Sequence, residues 1–586
     1  MNNLINGKIL FCNNESLWIN AESSIIYTNF KKNNRFVSNQ SIKIDKTKLK
    51  KIQVENIEEQ IPHIINAVCS YCELYYIEYE NIFAENIDSN YTILCGVLCI
   101  SSKIRWGITS KSLTKYTFVP RNKGYPKYIV ASKLKPSSVD VYARVEINKL
   151  EINETHPKGV LVEILGNIND SSIFEQVILA SYPIFPRNRN QIIRNENKKI
   201  STNSNYDLEF INNYKDIIDE DWSNESTISI DPINCVDIDD AISIRRNEKS
   251  IEYAIHIATP TLHYNLGSDI DKLANSQMNS IYMPNKVHHL IPSKLSESKA
   301  SLRQNCKRIC LSVIWTNNLN NVRLVRSVIE NKYEFSYTEV EKNSIYSKFV
   351  DIYQLIFNDK IINSHELIEK SMIKANAYVA EFLLKKSSQT ALLRKSLNNS
   401  VYYLPSSKSN NHDPLGLECY THFTSPIRRY ADQIVHRQIF DILSNKKPRT
   451  VEYENIIKLN LLKFYSQMIE SDINWVSILN KNSKVTLEGT LLYVQDYKAR
   501  IEILLNQKNI RIFIPLLSQK TEELFQVDKL NEEYLFKYVH SNEILKFKTD
   551  STITVELYFS ENQGLDGYKF KWIKPNIEEF INQFCI

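Results

Sequence analysis

Four aspartates in one short segment are the residues of this sequence best suited to chemistry. Asp231, Asp237, Asp239 and Asp240 lie close together, next to apolar residues typical of β-strands. Neighbouring carboxylates repel one another, so a bound cation would stabilise them. Mg²⁺ prefers oxygen ligands and often binds through carboxylates, water and substrate phosphate. The segment therefore favours metal-dependent phosphodiester chemistry, in which a cation activates water and stabilises the leaving oxygen.

An acidic surface loop or a calcium-binding loop would explain the same four residues without catalysis. The segment lacks the glycine and the terminal glutamate of an EF-hand loop. On these residues alone, phosphate chemistry and plain surface acidity have about equal weight.

A basic segment far downstream is the second candidate. Ser425 and Pro426 are typical of a helix start, which predicts a helix from Pro426 with Arg428 and Arg429 in its first turn. Cations are unfavourable there, and a bound phosphate would offset that cost. Pairing of both arginines with acids in an ordinary ion-pair network is the simpler interpretation of this segment alone.

Histidine and cysteine give weaker signals. The spacing of His422 and His436 matches no metal site, so we expect both to have structural roles. Four cysteines could form a zinc site, although buried thiols are the simpler interpretation: Cys69, Cys72, Cys95 and Cys99.

The elements around these segments fall into four parts. Residues 1–185 contain short strands broken by Pro, Asn, Gly and Ser, which predicts one or two small barrels. Within this part, residues 55–83 have a more helical pattern. Residues 186–225 are polar and predict a linker or extended connection. Residues 226–480 mix strands and helices in an α+β domain, and residues 481–586 are strand-like again.

Charge is strongly segmented near the N-terminus. Residues 31–51 hold eight Lys or Arg and one acid, residues 52–100 hold eight acids and no Lys or Arg, and residues 101–139 hold nine Lys or Arg and no acid. A run of one sign is often only a solvated face. The last run also contains aromatic residues, which is typical of surfaces that hold phosphates and stack bases.

Composition excludes several classes of protein. The 586 residues include only 11 glycines, and no G-x-G-x-x-G or P-loop string occurs. Nucleotide-driven motors and dehydrogenases are therefore disfavoured. The start of the sequence has no pattern of a secretory signal, and no apolar run is long enough to span a membrane. We expect an intracellular protein of the cytoplasm or nucleus, with reduced thiols and no membrane partner.

Together the two segments resemble the ribonuclease II and ribonuclease R superfamily, whose members are processive 3′-to-5′ exoribonucleases with an RNB catalytic domain. The resemblance covers residues 226–480 and includes IHIATPTLHYNLGSDIDKLANSQMNSIYMPNKVHHLIPSKLSESKASL, ANAYVAEFL and LGLECYTHFTSPIRRYADQIVHRQI. It implies a multidomain protein: cold-shock-like OB domains at 1–90 and 91–185, a linker at 186–225, the RNB core at 226–480, and an S1-like OB domain at 481–586.

The resemblance also implies roles for individual residues. The four catalytic aspartates of the family match Asp231, Asp237, Asp239 and Asp240, which would bind one or two Mg²⁺ ions, with Mn²⁺ as a substitute. Arg428 matches the arginine that assists phosphate cleavage. Four further residues would bind the substrate: Tyr282, Tyr337, Glu470 and Arg429. The expected products are nucleoside 5′-monophosphates from single-stranded RNA, and the alternative is a catalytically silent RNA-binding member of the family.

Residues 95–181 most resemble the eukaryotic branch that includes the catalytic subunit of the exosome. The sequence contains no PIN-type endonuclease domain before its barrels, which disfavours anchoring to the exosome through such a domain. An exosome-like complex is an optional partner, and a monomer is otherwise expected. One departure is local: family members usually have H-I-A-D where this chain has H-I-A-T, ending at Thr259.

Overall fold

The computed structural model describes most of residues 4–574. The segments outside the description are 13–15, 22–23, 30–40, 52–72, 77–81, 85–92, 122–126, 148–156, 183, 186–188, 201–205, 247–249, 284–285, 318–320, 389, 398–399, 407–410, 452, 480–483, 496–497, 506–507, 516–524, 531–532, 540–543 and 560–567. The chain separates into two compact units, whose described residues fall within 1–32, 37–85 and 183–467 for the first, and within 33–36, 86–182 and 468–586 for the second.

The N-terminal part of the first unit is a mainly antiparallel sheet in the order β5-β6-β3-β2-β1-β4-β7. Its strands are β1 (Leu4–Cys12), β2 (Ser16–Ala21), β3 (Ser24–Asn29), β4 (Ser41–Asp45), β5 (Lys50–Lys51), β6 (Glu73–Tyr76) and β7 (Ile82–Ala84). The helical pattern expected over 55–83 lies partly outside the described residues. Where the structure describes it, the expectation is wrong, because β6 pairs with β3 and β7 pairs with β4. Pairing with neighbouring strands has outweighed the local pattern there.

The second unit holds a closed barrel of five strands in the order β10-β12-β11-β8-β9. Its strands are β8 (Ile93–Leu98), β9 (Thr114–Pro120), β10 (Tyr128–Ser132), β11 (Val141–Glu146) and β12 (Lys158–Asn167). Cys95 is buried in β8, and burial raises the pKa of the Cys99 thiol to about 11. Both behave as small apolar residues, whereas Cys69 and Cys72 lie outside the described residues. The buried-thiol interpretation therefore agrees with Cys95 and Cys99, and the alternative of a zinc site is untested at Cys69 and Cys72.

The core of the first unit is a seven-stranded sheet in the order β13-β20-β19-β16-β15-β14-β21. Its strands are β13 (Glu220–Trp222), β14 (Ser226–Asp231), β15 (Asp240–Arg246), β16 (Ile251–Ala258), β19 (Lys307–Thr316), β20 (Arg323–Glu330) and β21 (Tyr333–Ser336). Two hairpins add β17 (Ile281–Met283) with β18 (Lys286–His288), and β22 (Leu392–Leu397) with β23 (Ser400–Pro405). Nearly every residue of β16 and β19 is buried, so this sheet is the hydrophobic core of the unit.

Helices join the strands along the described part of the chain, and those within residues 226–480 confirm the mixed α+β pattern. The helices are α1 (Phe174–Ser181), α2 (Arg189–Lys199), α3 (Tyr206–Asn213), α4 (Asp269–Gln277), α5 (Tyr337–Val340), α6 (Ser344–Phe357), α7 (Ser364–Ser387), α8 (Tyr430–Leu443) and α9 (Tyr453–Leu479). Tyr253 of β16 packs edge-on against Tyr353 of α6 and bonds to Ser371 Oγ of α7 at 2.9 Å. None of the helices in the described part of the chain is both long and apolar enough to cross a membrane.

The segment 186–225 differs from the linker that its polarity predicts. Its described residues form α2, α3 and β13, and β13 pairs in parallel with β20 of the central sheet. Polar helices of this kind are stabilised by tertiary contacts, which no local pattern reports. One such contact joins Arg189 Nε to Gln277 Oε1 at 3.1 Å.

The C-terminal part is strand-rich, as its sequence predicts. It forms a sheet in the order β26-β25-β24-β30-β31 and a second one in the order β27-β28-β29. Its strands are β24 (Lys484–Gln495), β25 (Lys498–Leu505), β26 (Lys508–Pro515), β27 (Phe525–Leu530), β28 (Glu533–Tyr538), β29 (Ile544–Lys548), β30 (Thr552–Phe559) and β31 (Tyr568–Lys574). Trp475 and Leu479 at the end of α9 belong to the core between them. The assignment of these barrels and sheets as OB-folds stays a prediction.

Candidate active site

Two adjacent strands bring the four aspartates together. Asp231 is the last residue of β14 and Asp240 the first residue of β15, and these strands pair antiparallel. The loop between them is fixed by its backbone: Ile238 N donates to Ser301 Oγ at 2.9 Å, and Ile238 O accepts from Leu302 N at 3.1 Å. The carboxylates of Asp237 and Asp239 are therefore presented by a loop with fixed hydrogen bonds.

Asp239 is held from the segment around Arg428, almost 190 residues further along the chain. Its side chain is 5% exposed. Oδ1 accepts a hydrogen bond from Ile427 N at 2.8 Å, and Oδ2 lies 3.5 Å from Arg428 Nε. This pair joins the two segments that the sequence singled out.

Electrostatic repulsion within the group is strong. Burial raises the pKa of Asp239 well above its usual value, although Arg428 opposes the rise. Burial, together with Asp239 and Asp237, raises the pKa of Asp231 to about 7. Burial and the charge of Asp231 raise that of Asp240 to about 8. The group thus holds more negative charge than its neighbours compensate.

One oxygen of the group has no partner. Oδ2 of Asp231 is buried and makes no hydrogen bond with any described residue. Within the described part of the chain, no three His, Cys, Asp or Glu side chains are placed to hold a metal ion by themselves. A cation here would therefore need oxygen ligands from water or substrate besides the carboxylates, which is usual for Mg²⁺.

Tyr282 and His289 contact the group from a hairpin. Tyr282, in β17, donates its hydroxyl hydrogen to Asp237 Oδ2 at 3.1 Å. His289 Nδ1 lies 4.0 Å from the same oxygen, and its Nε2 lies 2.8 Å from Glu297 Oε1. No motif in the sequence marks His289 as a site residue. Its position next to the Tyr282 hairpin is the one signal that could have identified it.

The prediction that a helix begins at Pro426 is wrong. The helix α8 begins at Tyr430, and Arg428 and Arg429 both precede it. Arg429 has an extended backbone, with φ −133° and ψ 123°, and forms an isolated β-bridge with Asn279. This long-range pairing occupies the backbone that the helix would need. Arg429 is instead the N-cap residue of α8, and the acidic Asp432 lies in the first turn of that helix.

Arg429 is used differently from Arg428. Its Nη2 lies 2.8 Å from Asp432 Oδ1, and the fully buried Asp432 also accepts from Ser425 N at 2.8 Å. The side chain of Arg429 is 19% exposed, against 44% for Arg428. The ion-pair interpretation from the sequence holds for Arg429, and its predicted contact with substrate stays a prediction.

More positive charge surrounds Arg429. The guanidinium of Arg394 lies over the Tyr403 ring at 4.8 Å, and Lys463 Nζ lies 6.0 Å from the same ring. Burial, Arg394 and Arg429 lower the pKa of Lys463 to about 7. Asp432 is thus an acid next to several cations. We expect its ion pair with Arg429 to contribute to the free energy of unfolding.

Tyr337 lies close to the carboxylates by register. It follows Ser336, which is paired with Asp231 across β21 and β14. Burial and then the charges of Asp240 and Asp231 raise its pKa. Its ring stacks on His365 with 3.7 Å between centroids. Glu470 lies in α9 within the second unit, and its predicted role stays a prediction.

The remaining histidines and the local departure have structural roles. His422 Nδ1 lies 2.6 Å from the Tyr403 hydroxyl, and His436 Nε2 donates to Phe423 O at 2.8 Å, which agrees with the expectation for both. Thr259 is 3% exposed and donates its hydroxyl hydrogen to Ile309 O at 2.6 Å. In this chain the hydroxyl of Thr259 thus serves the local fold by joining two neighbouring segments.

Comparisons with known proteins match the part of the chain that contains this site. The RNB domain model matches residues 219–348 and 387–445, which include the four aspartates, Tyr282 and both arginines. Ribonuclease R of Chlamydia muridarum is 25% identical over 388 residues, covering 49% of this chain and 54% of the relative. The exosome complex exonuclease RRP44 of Mus musculus is 22% identical over 555 residues, covering 71% and 56%. This chain thus spans about half the length of the curated relatives it matches.

Solved structures share the fold along nearly the whole chain. The Mycoplasma genitalium ribonuclease R in complex with ribose-methylated single-stranded RNA has a TM-score of 0.64 and 16% identity, covering 97% of this chain and 100% of that one. Yeast Ssd1, described as a pseudonuclease, has a TM-score of 0.62 and 16% identity, covering 98% and 97%. The chain thus contains a match to the RNB domain over residues 219–348 and 387–445, and it is similar to ribonuclease R and RRP44 relatives from bacteria and eukaryotes.

Proposed function

We propose that this protein is a Mg²⁺-dependent exoribonuclease that hydrolyses single-stranded RNA from its 3′ end and releases nucleoside 5′-monophosphates. The observation that carries the proposal is the pairing of Asp239 with Arg428 inside a group of four buried or half-buried aspartates. An excess of carboxylate next to an accessible guanidinium is suited to a phosphodiester and a divalent cation together.

The residues of the chain would divide the work. Asp231, Asp237, Asp239 and Asp240 would hold the cation, and the unpartnered Oδ2 of Asp231 supports this. When bound, Mg²⁺ lowers the pKa of water and offsets negative charge on the phosphate. Arg428, with 44% of its side chain exposed, would neutralise charge on the phosphate oxygens in the transition state.

Tyr282 would position the last nucleotide. Its hydroxyl is fixed by Asp237, so the ring is held next to the carboxylates. Stacking of a base on an aromatic ring tolerates any base and is worth about 1–3 kcal/mol. This fits a nuclease that must accept every 3′-terminal nucleotide.

The test is degradation of a single-stranded RNA 20-mer labelled at its 5′ end, with Mg²⁺ or with EDTA. Wild type should shorten the RNA from its 3′ end only with Mg²⁺, and Asp239→Asn should leave it intact. Asp351→Asn, which changes an exposed aspartate of α6, is the matched control and should behave as wild type. An intact substrate with wild type, or equal degradation by Asp239→Asn, contradicts the proposal. A DNA 20-mer run in parallel tests the preference for RNA.

The second candidate is an RNA-binding protein without nuclease activity. It is favoured by the likeness to yeast Ssd1, which is described as a pseudonuclease. Retention of all four aspartates and of Arg428 argues for catalysis. Binding of the 20-mer without shortening, in the assay above, would select this candidate.

Single-stranded RNA is the proposed partner, and the acting species is a monomer. An exosome-like complex is the further partner that the name of the mouse relative suggests. Co-purification of the tagged protein from its own cells, followed by size-exclusion chromatography, distinguishes a monomer from a member of such a complex. A single peak near 68 kDa, the mass of one chain, supports the monomer.

A further inference from the structure

A basic cavity of about 540 Å³ lies next to the hairpin that carries Tyr282. It is lined by residues of α2, of β18 and of the stretch 289–294. Five of its side chains are cationic: Arg189, Arg194, Lys198, Lys286 and Lys294. No Asp or Glu is among the lining residues that the structure describes. Such a concentration of one charge is suited to an anion.

Four of these cations are available for a ligand. Arg189 is already used, since its Nε and Nη2 donate to Gln277 Oε1 and His289 O. The other four form no ion pair with any described residue. Three of them are exposed, and Lys294 is half-buried. Among the described residues no carboxylate pairs with these four charges, so an anion that enters the cavity could do so.

The lining also has an apolar part. Ile193, Val287 and Ile291 lie among the cations. Burial, assisted by the positive charge of Arg189, lowers the pKa of His288 to about 4, so its imidazole is neutral near pH 7. Pockets of about 300–1,000 Å³ with apolar walls and a few polar groups are typical of small-molecule sites. An apolar wall beside several cations suits the base and the phosphate of one nucleotide.

The cavity is joined to the candidate active site by the hairpin. Tyr282 and Val287 are paired across β17 and β18. Tyr282 contacts Asp237, whereas Val287 lines the cavity. We propose that this cavity binds the nucleoside 5′-monophosphate released by the reaction. The inference rests on the proposed function for the identity of the product.

Both this product and the RNA chain carry phosphate. The charge of the phosphate group therefore indicates which of the two ligands the cavity should bind. A phosphate monoester carries about −1.5 to −2 charges near pH 7, whereas each phosphate within the chain carries one. Four uncompensated cations around one cavity match the more highly charged group. The experiment therefore compares a mononucleotide with an RNA strand.

The experiment is calorimetric titration of the full-length protein with AMP in EDTA, where no turnover takes place. Wild type and Asp239→Asn should bind AMP with similar affinity. Replacement of Lys198 and Lys286 together by Glu should weaken AMP binding by at least about tenfold, since hydrogen bonds to charged groups contribute about 1.5–3 kcal/mol. Both lysines are exposed, so the folded structure should persist.

A matched control replaces two exposed lysines outside the cavity, Lys348 and Lys447, by Glu. This control should bind AMP as wild type does. The inference is overturned if wild type binds no AMP at millimolar concentration, or if the cavity variant binds it unchanged. It is also overturned if the cavity variant, in the Asp239→Asn background, loses affinity for the RNA 20-mer while keeping that for AMP. AMP binding is measured without turnover, so it can be observed even if wild type has no nuclease activity. Failure of the proposed function and failure of this inference are therefore distinguishable.

Discussion

Replacement of Asp231 by Asn should stabilise the metal-free protein at neutral and higher pH. In the folded chain the pKa of Asp231 is raised to about 7 by burial and by the neighbouring carboxylates. The ionised side chain is thus unfavourable in the folded state, and Oδ2 has no partner to offset the cost. Asparagine has nearly the same shape and removes the charge, so the variant loses the repulsion while keeping the volume.

The magnitude follows from the rise in pKa. A tenfold change in protonation equals about 1.4 kcal/mol, so the rise from 3.8 to about 7 corresponds to at most about 4 kcal/mol. The folded state binds this proton more tightly than the unfolded state does. Stability is therefore fully present below about pH 4, declines as pH rises towards 7, and is constant above that value. The advantage of Asp231→Asn should rise over the same pH range and be largest above pH 7.

The assay is urea unfolding of wild type and Asp231→Asn between pH 5 and 8.5 in the presence of EDTA. Unfolding is monitored by the change in protein fluorescence. The expected result is a difference in free energy of unfolding that increases with pH. Mg²⁺ should raise the stability of wild type and reduce the difference, because a ligand that binds the folded state stabilises it. Asp351→Asn serves as the control and should show no pH-dependent gain.

Two results would refute this reasoning. A difference that is constant from pH 5 to 8.5 would mean that Asp231 is not protonated more readily in the folded state. A variant less stable than wild type at pH 8 in EDTA would mean that the ionised carboxylate is already compensated in the metal-free chain.

Three further predictions concern the segment around Arg428 and the hairpin. Arg428→Lys should lower kcat by about 100-fold, because lysine lacks the planar guanidinium, while RNA affinity measured in the Asp239→Asn background should change less than tenfold; equal losses in both would contradict a transition-state role. Tyr282→Phe should lower kcat less than tenfold and leave KM nearly unchanged, whereas Tyr282→Ala should also raise KM, because the proposed stacking of a base on the ring is worth about 1–3 kcal/mol; identical kinetics of the two variants would exclude stacking. Asp432→Ala should lower the free energy of unfolding by about 3 kcal/mol, because it leaves the half-buried Arg429 without its partner, and an unchanged free energy of unfolding would refute that ion pair.

The clustering of the four aspartates could be predicted from the sequence because its signal is local. Strand β14 ends in an aspartate and β15 begins with one, so the order of residues alone places the four carboxylates in one loop. The helices between Ser336 and Ser387 were also predictable from apolar periodicity and from caps such as Ser336 and Asn363. In these cases the local sequence and the folded structure favour the same conformation.

The parts that the sequence did not predict depend on distant partners. The strand β13 is only three residues long and acquires its conformation by pairing with β20, about 100 residues later. His289 becomes part of the site only because the loop after β14 lies against its hairpin. Periodicity and caps carry no information about such contacts.

The start of α8 shows how one long-range contact determines chemistry. Had the helix begun at Pro426, Arg428 and Arg429 would have lain on neighbouring positions of one turn. The bridge to Asn279 instead extends the chain at Arg429. Arg428 lies in the turn before Arg429, where its backbone N–H and that of Arg429 donate to Ser425 O. Arg428 faces Asp239 with much of its side chain exposed, while Arg429 faces the buried Asp432.

This arrangement explains why two adjacent arginines need not have the same function. The ion pair of Arg429 with Asp432 also fixes Ser425, whose backbone N–H donates to Asp432 and whose hydroxyl accepts from Arg428 Nη2 at 3.0 Å. Asp432 thus positions Arg428 through Ser425. Loss of Asp432 should therefore lower kcat as well as stability, and Ser425→Ala should lower kcat with little effect on the melting temperature. A Ser425→Ala variant with unchanged kcat would show that the guanidinium is positioned by Asp239 alone.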